Sequence, residues 1–124
     1  MAHYERLVAW QHSHALVLEV YQASRNWPKV EQFGLTSQTR RAAVSVVANL
    51  VEGVSRRGRR ELRHCLDISL GSLGELECLL KLSRDLGYLA ATEWAALDAR
   101  RDSTGRLLWR LAQSLDRVLR PKPA

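Results

Sequence analysis

The sequence predicts an all-α protein, an antiparallel up-down four-helix bundle in one domain over residues 1–124. Leu, Ala, Arg and Glu dominate, whereas the 124 residues include only 7 glycines and 3 prolines, a composition that favours helix. Four segments carry apolar residues at steps of three and four, the period of an amphipathic helix. The breaks between them are about five to ten residues long, and connections of that length suit antiparallel neighbours.

The first helix is predicted over residues 5–26. It ends at Trp27-Pro28, because the residue before a proline is pushed out of helical geometry. Leu16 and Val20 widen its apolar face. The residues that define this face recur at helical spacing: Leu7, Trp10, His14, Val17 and Tyr21.

The second helix is predicted over residues 36–54, with Thr36 or Ser37 as its N-cap. Between residues 42 and 51, apolar side chains occupy every side of the helix, interrupted by Ser45 and Asn49 alone. A helix that is apolar all round must be covered on more than one face, and a monomeric four-helix bundle covers one. We therefore expect a second copy of the chain to cover the rest.

The third helix is predicted over residues 59–86, and Gly87 follows it as a C-terminal glycine. Its core stripe alternates steps of four and three: Leu62, Leu66, Ser69, Leu73, Leu76, Leu80 and Ser83, with Cys65, Ile68, Ser72 and Leu79 beside it. Gly71 and Gly74 interrupt the middle, where we expect them to allow a neighbouring helix to approach closely.

The fourth helix is predicted over residues 92–119, with Thr92 as its cap and Glu93 at the positive end of its dipole. Pro121 and Pro123 close it. Its stripe comprises Trp94, Leu97, Arg101, Thr104, Leu108, Leu111, Leu115 and Val118.

The sequence predicts a cytoplasmic protein with neither a targeting segment nor a membrane span. Its longest weakly polar stretch, residues 42–51, is about half the length that a membrane helix needs. Cys65 and Cys78 are separated by roughly 20 Å along one helix, beyond disulfide reach. We therefore expect both to be buried thiols.

Arginine clusters where the second helix gives way to the third. The net charge of +6 admits nucleic acid, an acidic protein or an anionic lipid surface as partner. Guanidinium groups bind phosphate oxygens bidentately, so the predicted nucleic-acid contacts are Arg56, Arg57, Arg59, Arg60 and Arg63. A solvated basic turn is the alternative. A second basic surface on the fourth helix comprises Arg100, Arg101, Arg106, Arg110, Arg117 and Arg120, partly offset by Asp98, Asp102 and Asp116.

The histidines and cysteines do not form the pattern of a catalytic or metal site. His12 and His14 point to nearly opposite sides of a helix, whereas metal ligands converge at spacings of three or four. His64 and Asp67 share a face, and a site there would need a further helix to complete it. We expect no enzymatic activity, no metal and no cofactor.

Two polar residues interrupt the second helix near its end. Asn49 and Glu52 are three residues apart and share a face, and the helix dipole disfavours a carboxylate at that position. Glu52 should therefore have a partner. We interpret the pair as part of a structural polar network, with ligand binding and solvent exposure as alternatives. The candidate partners are Arg40, Arg41, Arg59, Arg63 and Ser72.

Several ordered motifs resemble one protein family over residues 4–89. They are Leu7-Val8-Ala9-Trp10-Gln11, EQFGLTSQ at 31–38, Arg40-Arg41-Ala42-Ala43-Val44-Ser45, Asn49 with Glu52-Gly53, Gly71-Ser72 with Glu75-Leu76-Glu77, and Leu86-Gly87-Tyr88-Leu89. Together they are similar to the four-helix bundles named for 23S rRNA intervening-sequence proteins. That family is in turn similar to the accessory variability determinant of diversity-generating retroelements, a basic pentameric barrel that binds nucleic acid and a reverse transcriptase.

The resemblance implies an antiparallel bundle that assembles as a ring, typically a homopentamer, without enzymatic activity. It also implies that the positions matching the family pattern make a polar network and subunit contacts. These positions are Arg40, Arg41, Asn49, Glu52, Ser72, Glu75 and Glu77.

The leading hypothesis is a non-enzymatic homo-oligomer that binds RNA or DNA through its arginines. Its expected partners are further copies of the chain, RNA or DNA and, by the same resemblance, a reverse transcriptase, with no membrane. The alternative is a protein–protein adaptor or structural ring that binds no nucleic acid.

Overall fold

The computed structural model describes residues 2–121, and within them it confirms an all-α fold of four long helices. These are α1 (Val8–Ser24), α2 (Leu35–Ser55), α3 (Arg59–Asp85) and α4 (Ala91–Leu119). Short 3-10 turns, His3–Arg6 and Lys29–Glu31, precede α1 and α2. The predicted role of Pro123 lies outside the described residues.

Each helix packs against its neighbours in the chain, and α1 also packs against α4. Arg63, near the start of α3, bonds to Asp116 near the end of α4, at 2.8 Å. At the other end of the same pair, the Arg84 guanidinium lies over the Trp94 ring, 4.4 Å from its centroid. These contacts fit the predicted antiparallel arrangement.

One core runs along the centre of the bundle, and leucines and valines from all four helices fill it. Its fully buried members include Leu16, Val20, Val46, Leu50, Leu66, Leu76, Leu80 and Leu108. Four buried hydroxyls each donate a hydrogen bond to the backbone carbonyl one turn earlier in the same helix. These are Ser13 and Thr39, at 2.7 Å, and Ser83 and Thr104, at 2.8 Å. These four hydroxyls therefore enter the core without losing a hydrogen bond. The indole N–H groups of Trp27 and Trp94, by contrast, are buried without a hydrogen-bond partner in the described part of the chain.

The buried face of α1 is only partly the predicted one, since Leu16 and Val20 are buried as expected. Ala9, Ser13, Leu16 and Val20 point into the core, whereas Trp10 and Val17 are half-buried and His14 and Tyr21 are exposed. The apolar stripe lies on the flank of α1 that faces α2, where Tyr21 stacks under the Arg40 guanidinium at 4.7 Å. Two other stripe positions were wrong: Ile68 and Val118 are exposed.

The helix starts also differ from the sequence prediction. Gly34 precedes α2, and the Leu35 N–H is bonded to the Glu31 carboxylate at 3.4 Å, while Thr36 is buried within the helix. Ala90 precedes α4, and its N–H donates to the Glu93 carboxylate at 3.1 Å. Glutamate side chains thus accept from one amide at each helix start, while Thr36, Ser37 and Thr92 lie inside the helices that they were predicted to cap.

The glycine after α3 is confirmed as a helix terminator. Gly87 has φ of 83°, and the N–H groups of Gly87 and Tyr88 donate to the carbonyls of Arg84 and Ser83, each at 2.9 Å. This pair of bonds is the Schellman motif, whose left-handed position strongly favours glycine. Of the two cysteines, Cys65 is buried as predicted, whereas Cys78 is exposed.

The close approach between helices occurs at Gly53 rather than at Gly71 or Gly74. A Cβ built on Gly53 would lie 2.9 Å from the Cβ of Cys65 and 2.9 Å from Cδ1 of Leu62. A Cβ on Gly71 or Gly74 would meet nothing within 4 Å. Gly53 therefore sets the spacing of α2 and α3 next to their connecting turn.

Replacing Gly53 by alanine is expected to lower the free energy of unfolding by about 1–3 kcal/mol, because the added methyl overpacks the α2–α3 contact. Gly74→Ala is the matched control, and it should raise stability by roughly 0.5–1 kcal/mol through its higher helix propensity. Urea unfolding followed by circular dichroism measures both. A Gly53→Ala protein as stable as the wild type would contradict the close approach.

Candidate functional site

The turn between α2 and α3 presents the arginine cluster on a short connection. It spans residues 56–58, and Gly58 has φ of 102°, a left-handed conformation that favours glycine. Arg56, Arg57, Arg59 and Arg60 are all exposed around it. The turn therefore holds four guanidinium groups at one end of the bundle.

Arg56 differs from the other arginines of the turn because it forms ion pairs with two carboxylates. Its guanidinium is paired with Glu52 at 2.5 Å and with Glu61 at 3.6 Å. The partner of Glu52 is thus a cation one helical turn ahead, not one of the five predicted candidates. The exposed Glu52 shares no bond with Asn49, so the two residues do not form one network.

Arg57, Arg59 and Arg60 have no carboxylate within 4.0 Å among residues 2–121. Arg59 and Arg60 also occupy the first turn of α3, whose dipole adds partial positive charge there. These three residues, hereafter the open arginines, are available to an external anion.

Arg63 is held inside the bundle's own ion pairs. Its guanidinium bonds to Asp116 of α4 at 2.8 Å and to Asp67 at 2.6 Å, and these hydrogen bonds raise the pKa of Arg63. In return, Arg63 holds the pKa of the Asp116 carboxyl below its usual range. Arg63 therefore joins α3 to α4 and is less available to phosphate than the open arginines.

A pocket of about 850 Å³ opens beside the same turn. Leu7, Val54, Leu62 and Leu119, all half-buried, give it an apolar floor. Its rim carries His3, the four arginines of the turn and one carboxylate, Glu61, which pairs with Arg56. We call this feature the end pocket. The sequence did not predict the end pocket, because its floor residues are far apart in the chain. Only the up-down order of the helices brings these residues to the same end of the bundle.

The charge of the chain is concentrated at this end. Helix midpoints divide the described residues into a half with the α2–α3 turn (2–15, 46–72 and 105–121) and an opposite half (16–45 and 73–104). The first half has 10 arginines against 5 acidic residues, and the second has 8 basic against 8 acidic residues. All four histidines also lie in the first half.

Carboxylates neutralise half of the predicted basic surface on α4. Arg100 pairs with Glu19 of α1, Arg101 pairs with Asp98 and with Glu77 of α3, and Arg106 pairs with Asp102. Arg110, Arg117 and Arg120 remain without a carboxylate within 4.0 Å in the described part of the chain. All three lie in the half that contains the open arginines.

The remaining predicted polar residues divide into separate groups. Asn49 donates to the backbone oxygen of Ser45 at 2.8 Å, and the Ser45 and Ser72 hydroxyls are 2.7 Å apart, which joins α2 to α3. Arg40 donates to the Ser24 hydroxyl of α1 at 2.8 Å. Glu77 bonds to Lys81 and to Arg101 of α4. Arg41 and Glu75 are exposed beside a shallow pocket between α2 and α3.

A second surface, along α1 and α2, is apolar. One chain seals the core side of residues 42–51, but Val44 remains 38% exposed, Ala48 is exposed, and Val47 and Val51 are half-buried. The α1 stripe runs beside these valines, since α1 and α2 meet through Arg40 and Tyr21. We call this surface the α1–α2 face. It comprises Trp10, His14, Val17, Tyr21, Val44, Val47 and Val51.

Cys65 is a buried thiol of α3. Burial, reinforced by the charge of Glu52, raises the pKa of the Cys65 thiol, which makes it a poor nucleophile. Within residues 2–121, His, Cys, Asp and Glu do not gather in groups of three that could hold a metal ion. None of the described helices is both long and apolar enough to cross a membrane.

The sequence matches a known protein family, and the fold is similar to a solved structure. Residues 5–110 match the family described as 23S rRNA-intervening sequence protein. The crystal structure of a protein with unknown function from the S23 ribosomal protein family of Bacteroides thetaiotaomicron is similar, with a TM-score of 0.79 at 19% identity over 86% of this chain and 96% of that one. No curated protein matches the sequence significantly.

Proposed function

Since this chain belongs to the 23S rRNA-intervening sequence protein family, we propose that it is a non-catalytic homo-oligomer that binds RNA or DNA through its arginine-rich end. The oligomer is a pentameric ring in this proposal, by resemblance to the family. The binding surface consists of the open arginines together with Arg110, Arg117 and Arg120.

The observation that carries the proposal is the uneven pairing of arginines. Carboxylates at 2.6–3.1 Å bind Arg63, Arg84, Arg100, Arg101 and Arg106. Other arginines of the described residues without a carboxylate within 4.0 Å, such as Arg6, Arg25, Arg40 and Arg41, are not gathered on one turn. Arg57, Arg59 and Arg60 stand together on one turn without such partners. Because planar guanidinium groups match phosphate oxygens in bidentate geometry, a cluster of them at a positively charged end favours a polyanion.

A non-catalytic role fits the state of the ionisable groups. The pKa shifts at Arg63, Asp116 and Cys65 arise from ion pairs and burial, and the raised pKa of Tyr88 arises first from its hydrogen bond to Glu31, so each shift has a structural cause. Catalytic groups instead have perturbed pKa values in a cleft where a substrate can reach them.

The α1–α2 face supports the proposed self-association. Its valines and aromatic residues lie on one side of the bundle and stay partly exposed in a single chain, and a second copy is the proposed cover. A ring would repeat the arginine end in every subunit, and multivalency converts weak single contacts into useful affinity.

The test is the salt dependence of binding to fluorescent single-stranded RNA, single-stranded DNA and duplex DNA. Polyanion binding by three or more arginines per subunit should give a slope of log affinity against log salt of about −2 or steeper, since each contact contributes roughly −0.7 on a single strand. Fluorescence anisotropy between 50 and 200 mM salt, on the order of the range where such contacts weaken, measures it. Absence of binding to all three at low salt would overturn the proposal.

A different observation favours the adaptor alternative. Phe33 and Val30, in the connection before α2, are 90% and 87% exposed. An exposed aromatic residue of this kind is a common anchor at protein interfaces. An adaptor would bind its protein partner through this connection and would show no salt-dependent affinity for nucleic acid.

A further inference from the structure

We propose that the end pocket receives an unpaired nucleobase while the open arginines hold the flanking phosphates, so that the protein prefers single strands to duplexes. This inference rests on the proposed function and names the class of nucleic acid that the same surface would take. It follows from the combination of an apolar floor and a cationic rim.

The floor of the end pocket is unlike the surroundings of an ordinary basic turn. Four apolar side chains from four segments meet there: Leu7 before α1, Val54 in α2, Leu62 in α3 and Leu119 at the end of α4. All four are half-buried, so a planar apolar group would gain contact on entering. Phosphate alone would gain nothing from this floor.

The rim supplies the complementary part. Arg57, Arg59 and Arg60 border the same pocket and lack carboxylate partners among residues 2–121. Three guanidinium groups along four residues match a repeating phosphate backbone better than they match a ligand with one anionic group. Guanidinium planes also stack on unpaired bases.

A duplex does not offer free bases to the end pocket. Its bases are stacked inside, and extracting one costs a few kcal/mol, whereas a single strand offers bases at little cost. A duplex would therefore contact the rim alone. A single strand would contact both the rim and the floor.

The experiment compares two DNA oligonucleotides of equal length and charge, one of thymidines and one in which tetrahydrofuran spacers replace every base. The wild-type protein should bind the thymidine strand roughly tenfold more tightly, towards the low end of the range for a base on an aromatic platform because this floor is aliphatic. Anisotropy at low salt measures both affinities.

Variants assign the preference to the pocket. Leu119→Gln places an amide on the floor at the last residue of α4, where the fold is least affected, and should remove most of the preference. Val54→Thr, which keeps the volume of the side chain, is a second floor variant. Val118→Gln is the matched control, since Val118 is exposed and does not line the pocket.

The outcomes separate this inference from the proposed function. Equal affinity of the wild type for both strands would overturn base binding but leave polyanion binding intact. A preference that survives in both floor variants would overturn the assignment to the end pocket. Binding to neither strand would overturn the inference and the proposed function together.

Discussion

Replacing Arg57, Arg59 and Arg60 by serine is expected to weaken binding to single-stranded RNA about a hundredfold at 0.1 M salt. Each lost phosphate contact removes roughly 0.7 from the slope of log affinity against log salt, so the slope should flatten by about two. Arg56 is left in place because its bonds to Glu52 and Glu61 hold the turn. Fluorescence anisotropy across a salt series measures the affinity and the slope.

The matched control removes the same charge from the opposite half of the bundle. Arg25, Lys29 and Lys81 are exposed there, and their replacement by serine also lowers the net charge by three. If binding depended on net charge alone, both triple variants would lose affinity equally. A selective loss in the arginine-turn variant, with helix content and oligomeric state unchanged, locates the binding surface at the α2–α3 turn. Equal losses would contradict that location.

The sequence predicted the four helices well because their periodicity is long and their connections are short. The start of α1 was less visible. Residues 3–6 form a separate 3-10 turn, and Leu7 is extended before the helix begins at Val8. Hydrophobic spacing assigned the apolar face of α1 to Leu7, Trp10, His14, Val17 and Tyr21, widened by Leu16 and Val20. The structure buries Leu16 and Val20 of this face together with Ala9 and Ser13, and the Ser13 hydroxyl donates to the Ala9 carbonyl on its own helix.

The helix caps and the partner of Glu52 were both predicted wrongly, for different reasons. Thr36 and Thr92 were predicted as caps from their residue type. The amide at the start of α2 instead donates to Glu31, which precedes the helix, and the amide before α4 donates to Glu93, which lies within the helix. The Glu52–Arg56 pair has the spacing of four that stabilises helices, so the sequence did contain that signal. The end pocket contained no comparable signal, because Leu7, Val54 and Leu119 meet only through the topology.

Replacing Val44 by glutamate is expected to convert the proposed ring into monomers. Val44 is 38% exposed on the α1–α2 face, so the single chain tolerates a carboxylate there. In a ring that covers this face, the same carboxylate would lose its water among apolar side chains, a desolvation cost of several kcal/mol at every interface that a pairing with Arg40, one helical turn earlier, does not fully offset. Light scattering at micromolar concentration should then give a mass near 14.1 kDa for the variant and several times that mass for the wild type.

Gln113→Glu provides the control, because it adds one negative charge at an exposed position of α4 away from the α1–α2 face. This protein should keep the mass of the wild type, and circular dichroism should show the same helix content in all three proteins. Val44→Thr, which keeps the shape of valine and adds no charge, should retain the ring with weaker association. A monomeric wild-type protein would contradict self-association. The partly exposed Val44, Val47 and Val51 would then need a partner of another kind to cover them. A Val44→Glu protein that stays oligomeric would move the subunit interface to a different surface of the bundle.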